Sequence, residues 1–244
     1  MKQKEQIAVI GAGIVGLAIA YKLSLQNKKV TVFEKESQEG LHQSGRNSGV
    51  LHCGLYYQHG SLKAQLSVQG IREMILFCKV HNIPHDVCGK VVVASNAIEE
   101  VALNKLAARG KKNGLSGLSY LTSSQLKKRE PFVHAYKALL VPEEGIVDYK
   151  AVMKKLVQLV CEMGGEVHYE SPITKIENMR NSGVTILTNQ RSHKYDYLIS
   201  CTGLWSDKTF TNLTLKKAPL KIIPFRGEYL KFKTGFEDRI DHLV

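Results

Sequence analysis

The chain has 244 residues, 43% hydrophobic and 23% charged, enough for one large domain or two small ones with a full core. Its net charge of +12 comes from lysines and arginines spread over most segments. They are not gathered beside stacking aromatics and no nucleic-acid motif accompanies them, which argues against a nucleic-acid partner. No apolar run approaches the roughly 18 residues of a membrane span, and the five scattered cysteines, with no C-x-x-C pair, argue against a disulfide framework or a metal site.

Met1–Gln6 leads straight into the first apolar run, leaving no room for a signal or transit peptide, so a cytoplasmic location is expected, with loose membrane contact left open. Residues 7–10 read as a strand, 17–27 as a helix and 29–33 as a second strand closed by Glu34. Between strand and helix lies Gly11-Ala12-Gly13-Ile14-Val15-Gly16. Gly11 permits a tight turn, Gly13 lets a pyrophosphate approach the backbone, and Gly16 lets the helix lie close to the sheet. The helix N-terminus offers free N–H groups and a positive dipole end. Glu34, 18 residues past Gly16, can accept hydrogen bonds from a ribose diol, which favours NAD or FAD over NADP.

Residues 35–60 form a long polar loop centred on Gly45-Arg46-Asn47-Ser48-Gly49-Val50-Leu51-His52-Cys53-Gly54. A loop of this length with apolar content reads as functional. Ser61 caps a helix to about residue 81, and 89–95 is a strand. A helix at 98–113 stops at Gly114. A short strand at 119–121 precedes a short helix capped by Thr122 or Ser123 and ending before Pro131. Residues 138–141 are strand-like and 142–145 a turn. Asp148 opens a helix over 149–163, where Val152, Leu156, Leu159, Val160 and Met163 keep a helical period. Strands follow at 166–169, 173–177, 184–188 and 195–200. Cys201-Thr202-Gly203 is a second glycine turn, Trp205 opens a short helix, and 221–224 and 228–233 read as strands.

The fold class expected is α/β with α+β elements. A Rossmann-like nucleotide-binding domain with a parallel sheet (1–85 and 143–215) is interrupted by a second, mixed-sheet domain (86–142 and 216–244).

Gln43–Tyr57, Gly60–Ala64, Cys88-Gly89-Lys90, Arg129-Glu130-Pro131, Ser200–Gly203 and Pro224–Tyr229 together carry a resemblance. In these stretches the chain resembles the FAD-dependent oxidoreductases of the D-amino-acid-oxidase-like (DAO) superfamily, and within it the L-2-hydroxyglutarate dehydrogenases and oxidases. The resemblance implies FAD, held by Gly11, Gly13, Ile14, Gly16, Glu34, Lys35, Ser44, Arg46, Asn47, Ser48, Gly49, Ile173, Thr202 and Gly203. It implies that the first domain is an FAD-binding domain and that the second, a substrate domain, is incomplete here. It implies oxidation of a 2-hydroxy-dicarboxylate, with oxygen or a quinone as electron acceptor. His52 is the candidate base, since a group titrating near neutral pH suits that task; its alternative is to pack the loop. Arg226 is the candidate carboxylate grip, with a structural ion pair as its alternative. Tyr56, Tyr57 and Lys63 are candidate substrate contacts. Arg46 and Cys53 stand where the family usually has His and Ala. Family members are substantially longer, so a separate C-terminal half, an idle fragment, or an oxidase of an amino acid, amine or glycerol 3-phosphate are the rival expectations, as is an NAD dehydrogenase.

Overall fold

The structure, a computed structural model, describes residues 4–178, 183–189, 191–230, 232–236 and 239–244. In chain order the elements are β1 (Gln6–Ile10), α1 (Ile14–Leu25), β2 (Lys29–Phe33), β3 (Val50–Leu51), α2 (Leu62–Val80), β4 (His85–Asp86), β5 (Lys90–Ala94), α3 (Ala97–Lys112), β6 (Ser119–Thr122) and α4 (Ser123–Arg129). There follow β7 (Lys137–Val141), β8 (Gly145–Val147), α5 (Tyr149–Glu162), β9 (Glu166–His168), β10 (Ile173–Asn178), β11 (Val184–Thr188), β12 (Ser192–Tyr195), β13 (Tyr197–Ser200) and α6 (Ser206–Thr214). By compactness the chain falls into two units, residues 1–47 with 149–227 and residues 48–148 with 228–244. These divisions lie at different places from the cuts at 85/86, 142/143 and 215/216 read from the sequence. One reason is that α2 is tied to the second unit, where Arg72 pairs with Glu143 at 3.0 Å.

The first unit is built on a parallel sheet of order β13-β1-β2-β9. Residues 7–10 of β1 are all buried, as a parallel strand covered on both faces requires. Helix α1 packs against α5, which buries Val152, Met153, Leu156 and Val160 along one side. The sheet runs outward from β1 in both directions, to β2 and β9 on one side and to β13 on the other. That reversal makes the carboxyl end of β1 a switch point, where open α/β sheets bind ligands. A second, antiparallel sheet, β10-β11-β12, adds Ile186 and Tyr195 to a core with Ala8 and Phe33.

The second unit contains two antiparallel three-stranded sheets, β3-β8-β4 and β5-β7-β6. One isolated parallel bridge, Lys90 to Leu243, adds the mixed character expected of this unit. Val91, Leu121, Leu126 and Ala138 form a core beneath α4. Thr122 caps α4 with a full capping box to Gln125. The buried Glu130 fastens the end of the chain, accepting from the backbone N–H groups of Asp241 (3.1 Å) and His242 (2.7 Å) and lying 2.6 Å from His242 Nδ1.

Three expectations are corrected. Residues 221–230 are irregular rather than strands, and Lys231 lies outside the described residues. Their apolar pattern is strand-like, but no strand pairs with them among the described residues. The segment is instead tied to α6, where Asp207 Oδ2 accepts from Ile222 N at 3.0 Å. The single strand expected at 195–200 is two strands in two sheets, split at Asp196. That residue exchanges bonds with Gln6, Oδ2 accepting from Gln6 N at 2.7 Å and its own N donating to Gln6 O at 2.9 Å. The turn at 142–145 ends one residue early, because Gly145 opens β8.

Candidate active site

The first unit gathers most of the proposed dinucleotide residues at the carboxyl ends of β1, β2 and β13. Gly11 has φ +100°, and a Cβ there would lie 2.6 Å from the Cys201 carbonyl oxygen. The two glycine turns therefore touch, bringing Thr202 beside Gly11. A Cβ on Gly16 would run into the Gly11 carbonyl, so this glycine serves the strand–helix turn itself as well as the sheet contact.

Gly13 is the N-cap of α1 and supplies no side-chain acceptor to the helix. The first N–H of that helix, on Ile14, donates instead to Ser44 Oγ at 3.0 Å. Ser44 lies in a short 3₁₀ turn over Gln43–Gly45. Asn47 braces that turn by donating through Nδ2 to the carbonyls of Ser44 (2.8 Å) and Gln43 (3.1 Å). Arg46 beside it is exposed.

Glu34 is buried at the end of β2. Its carboxylate accepts from Ala12 N at 2.7 Å and from Glu36 N at 3.0 Å. An ionised carboxylate has about four acceptor positions. Two backbone donors leave capacity for a diol, and they fix where it is offered. Lys35 is exposed and places Nζ 4.6 Å from the Trp205 ring centroid. Lys208 approaches the same ring at 4.7 Å. Ile173 directs its side chain into the core around Phe33 and Ile186. Gly203 has φ +55°, with nothing within 4 Å of a Cβ placed there. A Cβ-free helix start, a fixed acceptor and two abutting glycine turns fit a dinucleotide of the FAD kind.

Ser48, Gly49, His52, Tyr57 and Lys63 belong to the second unit. Gly49 has φ +73° and packs against β8, its carbonyl accepting from Val147 N at 2.8 Å. Past β3 the chain alternates, with Leu51 buried, His52 exposed and Cys53 buried. Lys63 Nζ lies 5.0 Å from the Tyr57 ring. Arg226 belongs to the first unit, on the exposed irregular stretch.

Two residues to which the sequence assigned no role stand beside His52. Glu144 is fully buried. Its Oε1 accepts from Cys53 N at 3.4 Å and Cys53 Sγ at 3.3 Å, and its Oε2 pairs with Lys90 Nζ at 3.1 Å. His52 Nδ1 lies 3.8 Å from the same Oε2. Lys90 also stands over the Tyr56 ring at 5.1 Å. Burial is the largest influence on Lys90 and opposes its charge, yet Glu144 and Tyr56 together carry its pKa above the ordinary lysine value. Burial, reinforced by Glu144, pushes the Cys53 thiol up to about 12. Lys90 did appear in the Cys-Gly-Lys motif. Glu144 gave no signal, because its partners lie 54 and 91 residues away.

Similarity to solved structures is consistent with this architecture. L-α-glycerophosphate oxidase of Mycoplasma pneumoniae, solved with FAD bound, aligns over 87% of the chain and 57% of its own, at TM-score 0.77 and 22% identity. L-proline dehydrogenase of P. horikoshii aligns over 88% and 57%, at TM-score 0.78 and 18% identity. At these identities the likeness concerns the fold alone. Among curated proteins, L-2-hydroxyglutarate dehydrogenase of Indibacter alkaliphilus is 42% identical over 98% of the chain and 60% of its own length. The human mitochondrial L-2-hydroxyglutarate dehydrogenase is 37% identical over 93% of the chain and 52% of its own length. The chain thus spans between half and three-fifths of these relatives. The family model described as FAD-dependent oxidoreductase (DAO) matches residues 6–243, and the chain belongs to that family.

Proposed function

We propose that the protein oxidises L-2-hydroxyglutarate, or a close 2-hydroxy acid, to the 2-oxo acid. The observation that carries this reading is the 42% identity over 98% of the chain to an L-2-hydroxyglutarate dehydrogenase. When bound, FAD supplies the two-electron redox chemistry by accepting a hydride from the substrate Cα.

The chain's own residues supply binding, orientation and proton transfer. Gly13, Ile14 and Ser44 receive the pyrophosphate, and Glu34 receives the adenosine ribose. Arg46, Asn47, Ser48, Gly49, Lys35, Ile173, Thr202 and Gly203 complete the cofactor contacts. Residues 1–85 and 143–215 form the FAD-binding domain, and 86–142 and 216–244 the substrate domain. Arg226 grips a substrate carboxylate with its planar fork. His52 takes the hydroxyl proton, while Tyr57 and Lys63 line the substrate. Oxygen or a quinone would be the electron acceptor. The protein works in the cytoplasm, with at most loose contact to a membrane; among the described residues no helix is long and apolar enough to cross one.

A second reading has its own support. The chain covers 60% or less of these relatives, and Leu215, Phe225 and Leu230 are at least 91% exposed. On this reading the chain binds FAD but turns over only with a C-terminal half supplied separately.

The test is anaerobic mixing of the flavin-loaded protein with L-2-hydroxyglutarate, its D-enantiomer, an amino acid and glycerol 3-phosphate. Loss of the oxidised-flavin absorbance with L-2-hydroxyglutarate alone supports the main reading. Bound flavin that no substrate reduces supports the second. Reduction by a different substrate class removes the assignment.

A further inference from the structure

We infer that Glu144 is the positioning residue of His52, selecting which ring nitrogen carries the proton. The inference rests on the reading of His52 as the base.

A neutral imidazole has one N–H and one lone pair, and a carboxylate beside one nitrogen draws the proton there. Glu144 is suited to this task for three reasons. Its side chain is fully buried, whereas that of His52 is 52% exposed, so the carboxylate is the fixed partner and the ring the movable one. Its position is set by two donors from Cys53 and by the Lys90 ammonium. Of its two oxygens, Oε2, shared with Lys90, is the one near His52 Nδ1.

At 3.8 Å the contact is an ion-pair separation and longer than a hydrogen bond. It acts through charge across that gap. The result is an N–H on Nδ1 and a lone pair on Nε2, facing away from the protein interior. A base needs its lone pair there, on the side a substrate hydroxyl can reach.

Charged and titratable groups near the pair among the described residues include Lys90 on β5, Cys53 after β3, Tyr56 beneath Lys90, and Glu143. Lys90 donates to Glu144 Oε2 at 3.1 Å. The Cys53 thiol holds its proton and so remains a donor to the carboxylate. Glu143 is engaged elsewhere, by Arg72 and by Ser116 N at 2.6 Å. Glu144 is the carboxylate that approaches the ring, 3.8 Å from Nδ1.

The experiment is long-range 1H–15N correlation spectroscopy on the 15N-labelled full chain at about pH 8.5, some two units above the ordinary histidine value. The His52 signals are assigned with His52→Asn. In the wild-type chain Nδ1 should carry the proton. In Glu144→Gln, which keeps an acceptor but loses the charge, the tautomer ratio should move toward Nε2–H by about threefold or more. An Nε2–H ring in the wild-type chain overturns the inference with no variant needed. So does an unchanged ratio in a Glu144→Gln protein whose amide spectrum shows it folded. In flavin-loaded protein, Glu144→Gln should lower kcat and leave KM in place. The tautomer is read without substrate or flavin. A correct tautomer with no flavin reduction would therefore count against oxidation by this chain alone and leave the relation of Glu144 to His52 standing.

Discussion

Glu143 and Glu144 are neighbours in sequence and face opposite environments. Glu143 meets Arg72 at the surface, 3.0 Å away, while Glu144 is sealed inside with Lys90 at 3.1 Å. The outer pair has an exposed Arg72 and a half-buried Glu143, and contributes less to stability. The inner pair is a desolvated charge with a desolvated partner, and removing either partner strands the other.

Lys90→Met should therefore destabilise the protein by about 3 to 5 kcal/mol. Adding Glu144→Thr should recover most of that loss, because both charges then go together. Denaturant unfolding of the two single variants and the double variant measures the coupling. Additive losses would contradict it.

The glycines of the first turn should separate by function. Gly13→Val should abolish flavin retention and leave the fold intact, since a Cβ there meets only Ser44 Oγ, at 3.0 Å. Gly16→Ala should fail earlier, by unfolding, because its Cβ overlaps the Gly11 carbonyl. Flavin absorbance and circular dichroism, read together, distinguish the two outcomes. Normal flavin content in Gly13→Val would contradict the phosphate site.

Glu34→Ala removes the acceptor of two backbone N–H groups at a buried site. The loss should be about 3 kcal/mol, the scale of charge-assisted bonds left unmade. Flavin binding should weaken as well. Glu34→Gln keeps one acceptor and should retain more stability than flavin affinity. Equal retention of both would argue against a ribose contact.

Cys53 should be inert in the native protein. Its thiol is held protonated to about 12, so a thiolate-selective reagent near pH 8 should label the exposed Cys161 and spare Cys53. The sign for stability follows from linkage. The unfolded thiol ionises from its ordinary value of 9.0, while the folded one keeps its proton, so stability falls as pH rises from 9.0 toward about 12. Cys53→Ala should flatten that alkaline slope. Unfolding midpoints across the range provide the measurement.

The first βαβ unit was legible because its determinants are local. Three glycines, an apolar strand and an acid lie within 24 residues, from Gly11 to Glu34, and each has a fixed task. The strands β3, β4 and β8 were not legible, since two or three residues are too few to show alternation. Residues 221–224 and 228–230 misled in the opposite direction. Their apolar pattern suits a strand, but a strand needs a neighbour, and pairing is not written in the segment itself. The glycine turn and Glu34 were proposed from motif and spacing, and the structure places them together at the carboxyl ends of β1 and β2. The environment of His52 was not, because it is assembled by Glu144, 92 residues further along the chain, on a turn that looked merely polar.

Trp205 is the chain's single tryptophan, and it lies against Lys35, the residue following Glu34. Its emission therefore comes from one known corner of the first unit, next to the acid assigned to the ribose. The molecule carries a native optical gauge there. Titration with ADP or FAD can be followed as a change in indole fluorescence, before any flavin colour or turnover is sought.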